Sequence, residues 1–201
     1  MSITKPVPSP VLAPTADSRR AALLEAALGV FARFGYRKTS MDEVARAAQI
    51  SRQGLYLHFA NKEELFRATL QQAIEGSLAG ATRALAAEAA LNERLVDAFD
   101  EWVGRYVGRF AADAADLMEA ADTLAGTMLA DHEKRFLDAV AAALRAAGLA
   151  AAYKPAGLTA RQLAENLNAT ARGLKHSCAT QEEFRQAFAI AVRITCAPVL
   201  A

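Results

Sequence analysis

The fold of this 201-residue chain is decided by the stretch ISRQGLYLHFANKEEL, residues 50–65. Ser51 can cap a short helix from Arg52 to about Phe59, because a side-chain oxygen at that position accepts a hydrogen bond from an unpaired amide of the first turn. Leu55 and Phe59 are four residues apart, so both would face a core. The following residues begin another helix, because Asn61 can cap it and Glu64 follows at the spacing of a capping box.

The residues before this stretch predict two more helices. The first should run from about Ser18 to Phe34, with Gly35 as its stop. Ser40 and Glu43 have the spacing of a capping box, which predicts a short helix from Met41 to about Ala48. Two short helices joined by a tight turn and packed on a longer one make a helix-turn-helix. We place this DNA-binding domain at residues 17–62, after a Pro-rich arm at 1–16 that should be flexible.

The remaining residues, 63–201, should form a helical ligand-binding and dimerisation domain. Alanine is abundant and β-branched alternation is absent, so the fold class is all-α, with about nine helices. Beyond the helix that begins at Asn61, five are predicted, at about Glu93–Phe110, Asp113–Ala121, Thr123–Ala147, Ala160–Ser177 and Gln181–Cys196.

Charge is distributed unevenly along the chain. Residues 1–70 hold ten Lys and Arg against six Asp and Glu, whereas the rest is acidic, and the whole carries a net charge of +1. The first third is therefore the part expected to approach phosphates. No signal peptide or membrane span is recognisable, which predicts a cytoplasmic protein. Catalytic motifs and metal-ligand spacings are also lacking, so we expect a protein that is not an enzyme and needs no cofactor or metal.

A recognition helix in the major groove needs donors and acceptors at its N-terminal end. Arginine can pair with guanine and glutamine with adenine, and a glycine allows close approach. A phenol, an imidazole and an ammonium group can contact phosphates. The predicted DNA-binding residues are Thr39, Ser40, Ser51, Arg52, Gln53, Gly54, Tyr56, His58 and Lys62.

Residues 35–41 (GYRKTSM) and residues 50–65 closely resemble the TetR family of repressors, and the match spans residues 18–70. The resemblance implies that Thr39, Tyr56, His58 and Lys62 anchor the DNA backbone. It also implies that positions 52–54 vary with the operator. Finally, it implies an inducer whose binding shifts the helix that joins the two domains, at about residues 62–78.

Symmetric half-sites require a dimer, for which the last two predicted helices offer broad apolar faces. The predicted interface residues are Leu163, Leu167, Leu174, Phe184, Phe188, Ala191, Val192 and Thr195, with Ala187, Ile190 and Ile194 adjacent. An apolar ligand pocket could be lined by Trp102, Tyr106, Phe110, Met118, Met128, His132 and Phe136. The alternative for the pocket set is ordinary core packing, since aromatic residues at helical spacing form cores more often than pockets.

The sequence therefore predicts a ligand-responsive transcriptional repressor. It would bind a palindromic double-stranded DNA operator as a homodimer, with no membrane association. A small-molecule inducer, largely apolar, would release it. The alternative is an all-α small-molecule-binding or protein-interaction module without specific DNA binding. The intact segment from Ser51 to Lys62 favours the repressor.

Overall fold

The computed structural model describes residues 15–109 and 114–200, and within these ranges it is helical without any strand. Residues 1–14 of the predicted arm, together with Phe110, lie outside the described residues, whereas Thr15 caps the first helix and Ala16 begins it. The helices are α1 (Ala16–Lys38), α2 (Met41–Ala47), α3 (Arg52–His58), α4 (Lys62–Leu85), α5 (Leu91–Trp102), α6 (Ala114–Ala146), α7 (Leu149–Ala152), α8 (Ala160–Ser177) and α9 (Gln181–Leu200). Short 3-10 turns lie at Gly104–Tyr106 and Lys154–Ala156. The all-α prediction is confirmed.

Side-chain caps set the beginnings of several helices. The Ser40 hydroxyl accepts from the Glu43 amide at 3.3 Å, and the Glu43 carboxylate accepts from the Ser40 amide at 2.7 Å. Asn61 accepts from the Glu64 amide at the start of α4. Thr159 forms a second capping box at the start of α8. Each cap satisfies an amide that the helix itself leaves unpaired, and the caps at Ser40 and Asn61 are those predicted from the sequence.

Three of the predicted helices have clearly different bounds in the structure. The helix expected at Glu93–Phe110 ends at Trp102 as α5, because Gly104 lies directly against α9. A Cβ at Gly104 would lie 2.7 Å from Cδ1 of Phe184, so only glycine permits this approach. The segments expected at 113–121 and 123–147 form one continuous helix, α6, since the exposed Thr123 does not interrupt its alanine-rich surroundings.

The first of two cores lies among α1, α2, α3 and the beginning of α4. Its fully buried centre includes Phe31, Val44, Leu55 and Phe66, and the rings of Phe31 and Phe66 meet edge to face at 4.8 Å between centroids. Such an arrangement adds to the free energy gained by burying the two rings. This core fixes α3 relative to α1.

The second core lies among the later part of α4 and helices α5, α6, α8 and α9. Phe99 is fully buried at its centre, with ring centroids 4.6 Å from Phe188 and 4.9 Å from Phe136. Trp102 stacks on Phe136 at 4.6 Å. These aromatic contacts join three helices that are far apart in the chain.

Two helices belong to both cores. In α4, Leu65 and Phe66 are buried in the first core and Leu78 in the second. In α6, Leu117 packs in the first core, whereas Phe136 packs in the second. The domain border predicted after residue 62 therefore lies at the first residue of a helix that still contributes to the DNA-binding core. A displacement of either helix would therefore change the packing of both cores.

Polar contacts reinforce this connection. Asp116 of α6 accepts a hydrogen bond from the Arg37 amide at 2.8 Å, and Glu119 pairs with the Arg37 guanidinium at 2.8 Å. From α4, Arg67 donates to the backbone oxygen of Leu124 at 3.1 Å. In the described parts of the chain, no helix has both the length and the apolar composition to cross a membrane.

Candidate nucleic-acid interface

Helix α3 presents one side to the core and the other to solvent. Leu55 and Phe59 are 0% and 2% exposed, so they hold the helix against the first core as predicted. The Ser51 hydroxyl caps it by accepting from the Gly54 amide at 2.9 Å. The exposed side chains of α3 are Arg52, Gln53, Tyr56, Leu57 and His58. A short helix held in this way can enter a major groove.

Gly54 has a second role that the sequence does not reveal. A Cβ at this position would lie 3.1 Å from the Ser51 hydroxyl oxygen, closer than ordinary van der Waals contact. Glycine therefore leaves room for the cap as well as for the approach of DNA. The sequence alone does not show this close approach, because it depends on the position of the Ser51 hydroxyl in the structure.

Arg52 contacts the preceding helix of the same domain. Its guanidinium lies 3.0 Å from the Asp42 carboxylate and 5.6 Å from the centroid of the Tyr56 ring. The Arg52 side chain is 64% exposed, so the ion pair contributes little to stability and can exchange for a partner on DNA. The contact also holds Arg52 towards α2.

Thr39 and Ser40 use their hydroxyl groups inside the fold. Thr39 is buried, and its hydroxyl donates to the backbone oxygen of Gly35 at 2.7 Å. The Ser40 hydroxyl belongs to the capping box of α2, which lowers the pKa of Glu43 through hydrogen bonds from the Ser40 amide and hydroxyl. In the structure these two side chains shape the turn before α2, and contact of either with DNA stays a prediction.

Lys62 also makes its contacts within the fold. Its ammonium donates to three backbone oxygens at the end of α1: Tyr36 at 3.0 Å, Thr39 at 3.1 Å and Arg37 at 3.3 Å. It also lies 4.5 Å from the centroid of the Tyr36 ring. An ammonium group has three donors, and all three are used here. Lys62 thus holds the end of α1 in this structure, and its contact with phosphate stays a prediction.

The backbone geometry at the end of α1 directs its carbonyl groups towards this lysine. Gly35 has φ of 79°, in the region that favours glycine, and interrupts the helical geometry. The chain turns there, and carbonyl groups that would otherwise lack partners face Lys62. The sequence indicated Gly35 as a stop but not the lysine that completes it.

The residues predicted to line a ligand pocket lie in different environments. Phe136 is fully buried in the second core, while Met118 is 49% exposed beside the first. The Tyr106 hydroxyl lies 2.8 Å from the Ser77 hydroxyl, and His132 Nδ1 lies 2.8 Å from the backbone oxygen of Met128 in its own helix. An open cavity of 200 Å³ is lined by Tyr106 together with Leu28, Arg33 and Arg109, and by none of the other predicted pocket residues. A second, of 440 Å³, lies at residues 145–161 and contains none of them.

The predicted dimer residues also lie inside the protomer. Leu163, Leu167, Phe184, Phe188, Val192 and Thr195 are buried, and Leu174 and Ala191 pack against the same core. The stripe packs inside the protomer, since periodicity identifies an apolar face but not its partner. Ile190 and Ile194, one turn apart on α9, are 52% and 68% exposed.

The site shows no sign of metal chemistry. Within residues 15–109 and 114–200, no three His, Cys, Asp or Glu side chains lie close enough together to hold an ion. The histidine on α3, His58, instead lies beside Phe59, with ring centroids 6.4 Å apart.

Comparison with known proteins supports this interpretation of α1–α4. Residues 23–69 match the family described as bacterial regulatory proteins, tetR family. A 90-residue segment is 39% identical to the HTH-type transcriptional activator FasR of Mycolicibacterium smegmatis. That alignment covers 43% of this chain and 41% of the relative, so the chain is matched to less than half the length of that protein.

Solved structures extend the likeness in fold to nearly the whole chain. A TetR-family transcriptional regulator from Streptomyces coelicolor has a TM-score of 0.65 at 23% identity, covering 91% of this chain and 96% of that one. The ketosteroid transcriptional regulator of Mycobacterium tuberculosis has a TM-score of 0.63 at 23% identity, covering 90% and 96%. Residues 23–69 are thus similar to the helix-turn-helix segment of the tetR family, and nearly the whole chain shares the fold of these solved structures.

Proposed function

We propose that this protein is a ligand-responsive transcriptional repressor that binds a palindromic operator as a homodimer through α3. The observation that carries the proposal is the two-sided character of α3. Its core side is fixed by Leu55 and Phe59, and Arg52, Gln53 and Tyr56 stand exposed on the rest of its surface. Exposed donors on a rigid short helix are what direct reading of bases requires.

Contacts with the DNA backbone would come from the edges of the same helix. Tyr56 is 41% exposed and His58 is also exposed, so a phenol and an imidazole can reach phosphate oxygens on either side of the groove. The excess of basic residues in the first 70 positions adds a favourable electrostatic contribution. Lys62 and Thr39 support these contacts by holding the end of α1.

A homodimer would be formed through the outer face of α8 and α9. Ile190 and Ile194 are exposed on α9, which fits burial against a second copy of the chain. On α8, Gly173 has open space where a Cβ would stand, which allows another helix to approach closely. This face replaces the buried stripe predicted from the sequence.

The inducer would act through the helices shared by the two cores. A small molecule that separates Trp102 from Phe136 would displace α5 relative to α6. Because α6 also packs against α1, such a change would alter the orientation of α3 and the separation of the two recognition helices. The ligand must bind the state that does not bind DNA more tightly than the other. Acting on chromosomal DNA, the protein would work in the cytoplasm.

The decisive experiment is selection from random-sequence DNA duplexes followed by gel-shift titration at several salt concentrations. We expect a palindromic consensus, with Gln53→Ala changing the preference at one or two positions per half-site and Tyr56→Ala weakening binding to every sequence. Gln71→Ala on α4 is the matched control for Gln53→Ala, because it removes an exposed glutamine that lies outside α3 and bonds to Glu75 of its own helix. Failure to enrich any sequence would contradict the proposal and favour a binding module without specific DNA recognition. A reporter placed behind the selected site separates repression from activation.

A further inference from the structure

Leu57, which the sequence analysis did not assign, is the most exposed large apolar side chain in the described part of the protein. It is 82% exposed, compared with 68% for Ile194 and 41% for Tyr56. Leu57 is not part of the first core. It lies on the helix whose other exposed residues are polar or aromatic.

The direction of Leu57 follows from helical geometry. Residues advance about 100° around an α-helix, so the two buried anchors of α3, Leu55 and Phe59, define its inward direction. Leu57 lies roughly opposite that direction. Gln53, one turn earlier, lies on the same side, whereas Tyr56 and His58 lie to the left and right of it. Leu57 is thus the side chain of α3 that points most directly away from the protein.

The neighbours of Leu57 leave this direction open. Gly54, one turn before it, has no side chain. Arg52 is held sideways by Asp42 and Tyr56 and does not cover Leu57. When α3 enters a groove with Tyr56 and His58 towards the two phosphate strands, Leu57 and Gln53 face the base edges.

One base offers an apolar group to a side chain in this position. In the major groove the edges of guanine, cytosine and adenine present donors and acceptors, whereas thymine adds a 5-methyl group. We propose that Leu57 is a specificity-determining residue that packs against a thymine 5-methyl group in each half-site. The proposal rests on the proposed function, because it requires α3 to enter the major groove.

Deoxyuridine provides a direct test, since it pairs like thymidine but lacks the methyl group. Duplexes enriched by the wild-type protein from a random pool are resynthesised with deoxyuridine at each thymidine in turn. We expect one position per half-site at which the wild-type affinity falls about fourfold, the change that corresponds to losing burial of one methyl-sized group. Leu57→Ala should bind the thymidine and deoxyuridine duplexes equally at that position.

Two controls keep the result interpretable. Leu57→Ala should retain the wild-type melting temperature, because the side chain has few contacts to lose. Leu158→Ala, at an exposed leucine outside the DNA-binding domain, should keep the full response to deoxyuridine. The inference is overturned if no thymidine shows a methyl effect that depends on Leu57, or if the enriched half-site has no thymidine. Absence of any enriched sequence would instead overturn the proposed function.

Discussion

The Lys62 ammonium donates to the backbone oxygen of Thr39 at 3.1 Å, which joins two residues that the sequence assigned separately to phosphate contacts. The same ammonium also holds Tyr36 and Arg37, so the first residue of α4 closes the end of α1. Lys62 thereby holds the end of α1 against the beginning of α4, the helix that continues into the second core. Two predicted DNA anchors are therefore in contact with each other within the fold.

Lys62→Ala should lower the free energy of unfolding by about 1–2 kcal/mol, because three carbonyl groups lose a charged donor. Urea denaturation followed by circular dichroism measures the change. Lys134→Ala is the control: its side chain is 73% exposed and pairs with Asp138 on the same helix, so less than about 0.5 kcal/mol should be lost. DNA titrations at several salt concentrations add a second readout, since loss of a direct phosphate contact would reduce the salt slope by about 1 and loss of a positioning residue would not.

Asp116→Ala should destabilise the contact between the DNA-binding domain and α6. Its carboxylate accepts from the Arg37 amide, and the side chain is only 19% exposed, so the expected loss is about 1–2 kcal/mol. Hydrogen exchange at the Arg37 amide should accelerate. Glu119→Ala removes the exposed partner of the same arginine and should change stability by less than about 0.5 kcal/mol. Equal effects of both variants would contradict the importance of the backbone contact.

Glu43→Gln should make the stability of the protein less dependent on pH in the acidic range. Hydrogen bonds from Ser40 lower the pKa of Glu43 below its ordinary value of 4.5, so ionised Glu43 stabilises the folded state above that value. This contribution disappears as the pH falls through the lowered pKa. The wild type should therefore have the higher melting temperature at pH 7, and the difference between the two proteins should disappear as the pH falls towards 3. A constant difference would indicate that the charge of Glu43 is not involved.

Phe136→Ala should behave as a core substitution. The ring is fully buried against Phe99 and Trp102, so its removal should cost about 3–5 kcal/mol. Phe136→Leu is the milder variant if the first does not fold, with an expected loss below about 1.5 kcal/mol. Met118→Ala, at a residue 49% exposed, should change stability by less than about 0.5 kcal/mol. Similar losses at Phe136 and Met118 would contradict the separate environments that the structure gives them.

The features that could be predicted from the sequence depend on residues close together in the chain. Ser40 with Glu43 and Ser51 with Gly54 are three residues apart, so a cap and its partner are visible in one short window. The burial of Leu55 and Phe59 follows in the same way from their spacing of one helical turn. Local spacing was therefore sufficient to predict where α2 and α3 begin and which side of α3 is buried.

The features that could not be predicted depend on distant partners. Lys62 contacts Tyr36 across 26 positions, and nothing in either residue identifies the other. The apolar stripe of α9 was equally compatible with a second protomer and with the protein's own α5, and the structure places Phe188 against Phe99 of α5. Periodicity shows that a face is apolar but not what covers it.

The continuity of α4 and α6 through both cores limits how this protein could be recombined with its relatives. A chimera that exchanged only residues 17–62 would keep Leu117, Ala120 and Ala121 of the recipient against a foreign α1. A transplant would have to carry the first turns of α6 with it, although they lie about fifty residues further along the chain. The structural unit that must be exchanged as a whole is therefore discontinuous in sequence. Among related proteins, we expect substitutions in α1 to be accompanied by substitutions in the first third of α6.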